Sequence, residues 1–120
     1  MEDSSHQPGG PLLALALDSW RFQRLFQLAL AKLEAEDTAR FVSQHRYYLR
    51  RLDACLAEAG LRFVSLEGQP YLTGTAAHAL NLAEFGPDDE LVVDQMIEPI
   101  VMDASGLVRS GTVLLRKAEP

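Results

Sequence analysis

Three histidines and one cysteine carry whatever acid–base, nucleophilic or metal chemistry this 120-residue chain offers. His6, His45 and His78 lie far apart, and their spacing sets up no Cys–His or Ser–His pair. There is no Gly-x-x-x-x-Gly-Lys phosphate loop, no Gly-x-Ser-x-Gly elbow and no His-Glu-x-x-His zinc pair. His45 reads as a base or ligand, or as a helix-seam residue with a satisfied ring nitrogen. Its place in an apolar stripe favours the second. Cys55 falls on the same stripe and reads as a buried, inert thiol. A single cysteine excludes an internal disulfide and a Cys-based zinc site. The expectation is a protein that is not an enzyme, with no cofactor and no metal.

Two charged clusters remain. Arg46, Arg50 and Arg51 surround Tyr47. They suit an anion site, or a solvated flank pairing with acids such as Asp53, and the flank is the expectation. Asp88-Asp89-Glu90 lacks the Asp-x-Asp-x-Asp-Gly spacing of a calcium loop and reads as a solvated turn. Acids beside an exposed apolar strand edge also suit docking onto a basic protein surface, where charge steers the encounter.

Composition narrows the classes further. Eleven basic against 17 acidic residues give a net charge of -6, which argues against a general nucleic-acid binder. The 48% hydrophobic and 23% charged content is ordinary for a globular chain. The longest apolar run, Leu12 to Leu17, is far too short to span a bilayer. It follows an acidic start, so no secretory signal is expected, no membrane contact, and a cytoplasmic location. The acidity is local. From Leu66 to Val108 there is no Lys or Arg, but there are eight acids.

The elements that must position these groups fall in two regions. Residues 1–10 read as a flexible tail ending in Pro8-Gly9-Gly10. Residues 11–60 read as a helical hairpin. Pro11 suits a first helical position, and Leu15, Phe22, Leu25, Phe26, Ala29, Leu30 and Leu33 recur at helical spacing to about Ala35. Asp37 reads as the cap of a second helix. Its stripe is Phe41, His45, Tyr48, Leu49, Leu52, Cys55, Leu56 and Ala59, with Gly60 as the stop. A lone hairpin leaves an apolar flank wet. The spacing therefore predicts a homodimer closing into a four-helix bundle, with Phe41, Tyr48, Leu49, Leu52 and Leu56 at its interface.

Residues 61–120 read as a small β-rich docking module. Leu61 to Leu66 alternates, and Gly68-Gln69-Pro70 breaks it. Ala76 to Leu82 is ambiguous, and Gly86-Pro87-Asp88 is a turn. Leu91 to Met102 is strand-like with Pro99 as a bulge or edge. Asp103 to Gly106 reads as a hairpin loop, and Thr112 to Arg116 as the last strand. The fold class is α+β.

This order of parts resembles the C-terminal two-thirds of the GrpE family, nucleotide exchange factors of DnaK-type chaperones. The resemblance is carried by Gly60-Leu61-Arg62-Phe63-Val64, Gly68-Gln69-Pro70-Tyr71, Asp89-Glu90-Leu91-Val92-Val93, Glu98-Pro99 and Gly106-Leu107-Val108-Arg109. Val113, Leu115 and Lys117 follow in the register of the family's last strand. Asp18-Ser19 is similar to the family's bundle entry. Two stretches depart: Ile100-Val101 follows the Glu-Pro pair, and Leu72 to Ala77 replaces the usual Asp-Pro-Asn stretch. The resemblance implies a short form without the family's long N-terminal helix. It also implies a stress-response co-chaperone that docks on a DnaK-type ATPase domain and promotes ADP release. Arg109 is the first candidate for that contact, with Glu98, Pro99 and Val113 beside it. A diverged adaptor on the same scaffold, without exchange activity, is the alternative.

Overall fold

The computed structural model describes residues 10–119, so the expected tail lies outside them except for Gly10. The fold is α+β, two helices followed by six strands in two small sheets. The chain divides into two compact units that meet at Arg62/Phe63. Among the described residues no helix is long and apolar enough to cross a membrane.

The first unit is a helical hairpin. Helix α1 runs Gly10–Leu30 and α2 runs Ala35–Glu58. Pro11 is the second helical residue rather than the first, and α1 ends earlier than its apolar spacing predicts. Backbone turns Lys32 N–H to Ala29 C=O and Leu33 N–H to Leu30 C=O close it off. Glu34, not Asp37, holds the extended N-cap position of α2, at φ -74° and ψ 152°. Asp37 and Glu36 sit instead in the first turn, where carboxylates complement the positive end of the helix dipole.

Gly60 ends α2 as expected. It takes φ +76°, its N–H bonds to Ala57 C=O, and the Leu61 N–H bonds to Leu56 C=O. This 5→2 and 6→1 pair is a Schellman motif, and its flanking apolar residues, Leu56 and Leu61, are both buried.

The second unit is built around β6, Gly111–Lys117, the middle strand of a sheet ordered β2-β6-β3. Strand β3, Leu91–Glu98, pairs antiparallel with it. Strand β2, Ala77–Ala79, pairs parallel. Val93, Met96, Val113 and Leu115 fill its core. Beyond β2 the Asn81 side chain continues the ladder: its Nδ2 donates to Leu115 C=O at 3.0 Å and its Oδ1 accepts from Leu115 N–H at 2.9 Å. The amide stands in for a peptide group.

A second sheet, ordered β1-β4-β5, comprises Arg62–Val64, Ile100–Asp103 and Gly106–Arg109. The single strand expected over Leu91 to Met102 is therefore two strands in different sheets, parted at Pro99. Proline lacks the N–H that would continue the ladder.

The two chain crossings between these sheets, through Pro99 and through Ser110, run close together. A Cβ placed on Gly111 would stand 2.9 Å from Glu98 O and 2.9 Å from Ile100 Cγ1. Gly111→Ala is expected to destabilise the fold by about 1–3 kcal/mol, as overpacked positions do. Asn81→Leu should cost a similar amount, because both Leu115 backbone groups lose a partner. Urea unfolding of each variant measures the loss. Wild-type midpoints would show that neither contact constrains the fold.

Candidate functional site

Arg109 ends β5 and Glu98 ends β3. They meet because both strands stop at the same junction between sheets. The turn Asp103 to Gly106 returns the chain, with Asp103 Oδ1 accepting from Ser105 N–H at 2.8 Å and from Gly106 N–H at 3.1 Å. Gly106 takes φ +127° there, a backbone conformation that residues with a side chain rarely adopt. Val101 then faces Arg109 across the β4–β5 pair. Across the β3–β6 pair, Thr112 faces Glu98.

The result is a three-residue constellation. Arg109 Nη2 lies 3.9 Å from Glu98 Oε1, and Thr112 Oγ1 donates to the same oxygen at 3.3 Å. The Arg109 side chain is half exposed and that of Glu98 a quarter exposed. An ion pair this long and this wet contributes under about 1 kcal/mol. Turning the guanidinium away from Glu98 therefore costs little. Pro99 is buried. Val113 has no exposure and pairs with Met96 and Ala79 in the sheet core. Of the four residues named for partner contact, Arg109 and Glu98 offer surface, while Pro99 and Val113 are scaffold.

The acidic turn is built locally. Asp89 Oδ2 accepts from Gly86 N–H at 2.8 Å, and Asp89 Oδ1 lies 3.9 Å from Lys117 Nζ. Among the described residues no group of three His, Cys, Asp or Glu side chains could hold a metal. His78 is exposed on β2, and His6 lies outside the described residues.

The hairpin carries a different kind of site. His45 is buried, and its Nε2 lies 2.9 Å from Gln23 Oε1. An amide oxygen only accepts, so the ring donates. The Phe26 ring stands 5.8 Å away, tilted 40°. The satisfied-seam reading of His45 holds. Gln23 was not expected inside, yet it sits seven residues from both Ala16 and Leu30, which are buried too. That spacing was the available signal.

Beside this pair opens a cleft of about 520 Å³ lined by Phe22, Phe26, Gln44, Tyr47 and Tyr48. The α1 stripe divides here. Ala16, Gln23 and Leu30 turn inward, while Leu15, Phe22 and Leu25 stay about two-thirds exposed. Of the residues expected at a dimer interface, Leu56 is buried in the single chain, Phe41, Leu49 and Leu52 are half-buried, and Tyr48 is exposed. Cys55 is exposed, not buried. It lies on the Tyr48 flank of the stripe, seven residues on, where the hairpin leaves α2 uncovered.

No protein-family model matches the chain, and neither a curated protein nor a solved structure matches it.

The Gln23–His45 pair makes a sharp energetic prediction. Gln23→Leu strands a buried ring donor and should cost about 1–3 kcal/mol. Gln23→Leu with His45→Leu should be less destabilising than the two single changes summed, because neither orphan remains. Strict additivity in thermal or urea unfolding would mean the bond is not formed in solution.

Proposed function

We propose that the chain is a GrpE-like co-chaperone that docks on the ATPase domain of a DnaK-type chaperone and promotes ADP release. The observation that carries the reading is the contact of Arg109 with Glu98 at the sheet junction, two residues at motif positions that resemble the family, with Thr112 Oγ1 bonded to the same carboxylate. The mechanism needs no covalent step. The module binds the ATPase with its nucleotide cleft open better than with it closed, and so shifts that equilibrium. Arg109 supplies a directed contact from a loosely held guanidinium. The acids from Glu67 to Asp103 steer the approach toward a basic surface.

The adaptor reading has one observation in its favour. Only two of the four candidate contact residues reach the surface, which leaves a narrow footprint for prising a cleft open. Release of a fluorescent ADP analogue from DnaK-type ATPases separates the two. The exchange reading expects acceleration by the wild-type chain and a loss of roughly tenfold or less in apparent affinity with Arg109→Ala, the scale of one truncated contact. Binding without acceleration supports the adaptor. Unchanged affinity in the variant removes Arg109 from the contact.

Homodimerisation belongs to the same proposal. A second hairpin packed on Leu15, Phe22, Leu25 and Tyr48 would cover the open cleft, make a four-helix bundle and bury surface that the single chain leaves in water. Phe22→Glu should give a stable monomer, whereas Leu49→Asp, at a half-buried seam position, should destabilise the hairpin itself by several kcal/mol. Sedimentation of the wild-type chain as a monomer at micromolar concentration would end the dimer reading.

A further inference from the structure

Between Asp37 and Asp53, α2 carries Arg40, Arg46, Arg50 and Arg51 and neither an acid nor a lysine. All four arginines are exposed, as is Tyr47 among them. At 3.6 residues per turn Arg40, Arg50 and Arg51 fall on the arc of α2 away from His45 and Leu56, and Arg46 lies at its edge. Tyr47 stands where that arc borders the cleft against α1.

Ordinary explanations for such a run fail one by one. The pairing with Asp53 that spacing suggests is not formed, and none of the four makes an ion pair among the described residues. Arg40 is held only over the neighbouring Phe41 ring, 4.9 Å from its centroid. The run does not complement the helix dipole, since it lies mid-helix and the last turn of α2 holds no basic residue. Arg46 and Arg50 are four apart, a spacing at which like charges work against the helix. The face is uncompensated where compensation is simple.

We propose that this face of α2 binds an acidic segment of a partner protein, with carboxylates meeting the guanidinium forks. Arginine rather than lysine suits bidentate pairing with carboxylates. The run from Arg40 to Arg51 spans about 16 Å, the length of some three helical turns. A short acidic segment fits that length. A nucleic acid carries a charge about every 1.7 Å of duplex and extends well beyond the patch. Against it the molecule presents nine acids in residues 61–120. A membrane surface is disfavoured because the Leu and Val side chains of α2 face the seam, and the arc has no aliphatic residue larger than Ala to insert. The proposal stands independently of exchange activity.

Fluorescence anisotropy of a labelled amphipathic Glu/Leu peptide of about four helical turns tests it. The full chain should bind it saturably, and binding should weaken as salt rises to several hundred millimolar. Arg46→Glu with Arg50→Glu should weaken it about tenfold or more. Arg46→Gln with Arg50→Gln should weaken it less, with an unchanged helical circular dichroism spectrum. Lys32→Glu, a charge reversal off the arc, should leave it unchanged. Absence of binding, equal loss in the Lys32 variant, or tighter binding of single-stranded RNA or phosphatidylserine vesicles would each overturn the proposal.

Discussion

Gly111 lets β6 pass the Pro99 bend at a distance no side chain permits. The neighbours are Glu98 O and the Ile100 side chain, each 2.9 Å from where a Cβ would stand. Because the strand starts there, its register against β3 and β2 is set from that point. Thr112 falls opposite Glu98, Val113 opposite Met96, and Leu115 opposite Val93. Arg109, two residues upstream, is brought to Glu98 by the same approach. The second unit therefore has one geometric origin for both its core and its exposed polar constellation.

The helical hairpin is organised by a polar group instead. Gln23 and His45 satisfy one another in a buried seam. A hydrogen bond there contributes little net stability, but misregister leaves two desolvated groups without partners. One helical-turn slip of α1 against α2 is thus penalised far more than an all-aliphatic seam would penalise it. The pair also decides what stays outside. Fixing Gln23 inward turns Phe22 and Leu25 outward, which gives the cleft its aromatic wall.

Much of the architecture was legible in the sequence. Gly60 announced the end of α2 because a Cβ opposes the left-handed conformation. The Asp103 to Gly106 loop announced its hairpin through turn chemistry. Other features were hidden for physical reasons. Strand β2 has three residues and a parallel partner more than thirty positions away, so neither alternation nor a short turn marks it. Asn81 looks like a loop residue, and only the position of Leu115 makes it a ladder member. Pro99 was legible as an interruption, but not as a change of sheet. In the hairpin, periodicity gave α1 one broad apolar face, and only the packing shows which side is inward. Arg109 and Glu98 were named from motif order; their contact depends on a strand crossing that spacing cannot reveal. Val113 was named with them, but its alternation with Leu115 already marked it as core.

The loop before β2 has a protective aspect. Gly68 N–H bonds to Val93 C=O, Val93 N–H to Gln69 C=O, and Tyr71 N–H to Leu91 C=O. The Glu67 carboxylate accepts from Met96 N–H at 2.9 Å, next to the bulge that displaces Asp94. Tyr71 also donates its hydroxyl to Ala77 C=O at 3.1 Å. Five residues without regular strand structure thus occupy the hydrogen-bonding edge that β3 would otherwise present to any passing chain. An open edge over a Val-rich strand is a template for aggregation. By holding these bonds the loop keeps the outer edge of β3 closed, and a change that unseated it would open that edge to strand-by-strand association.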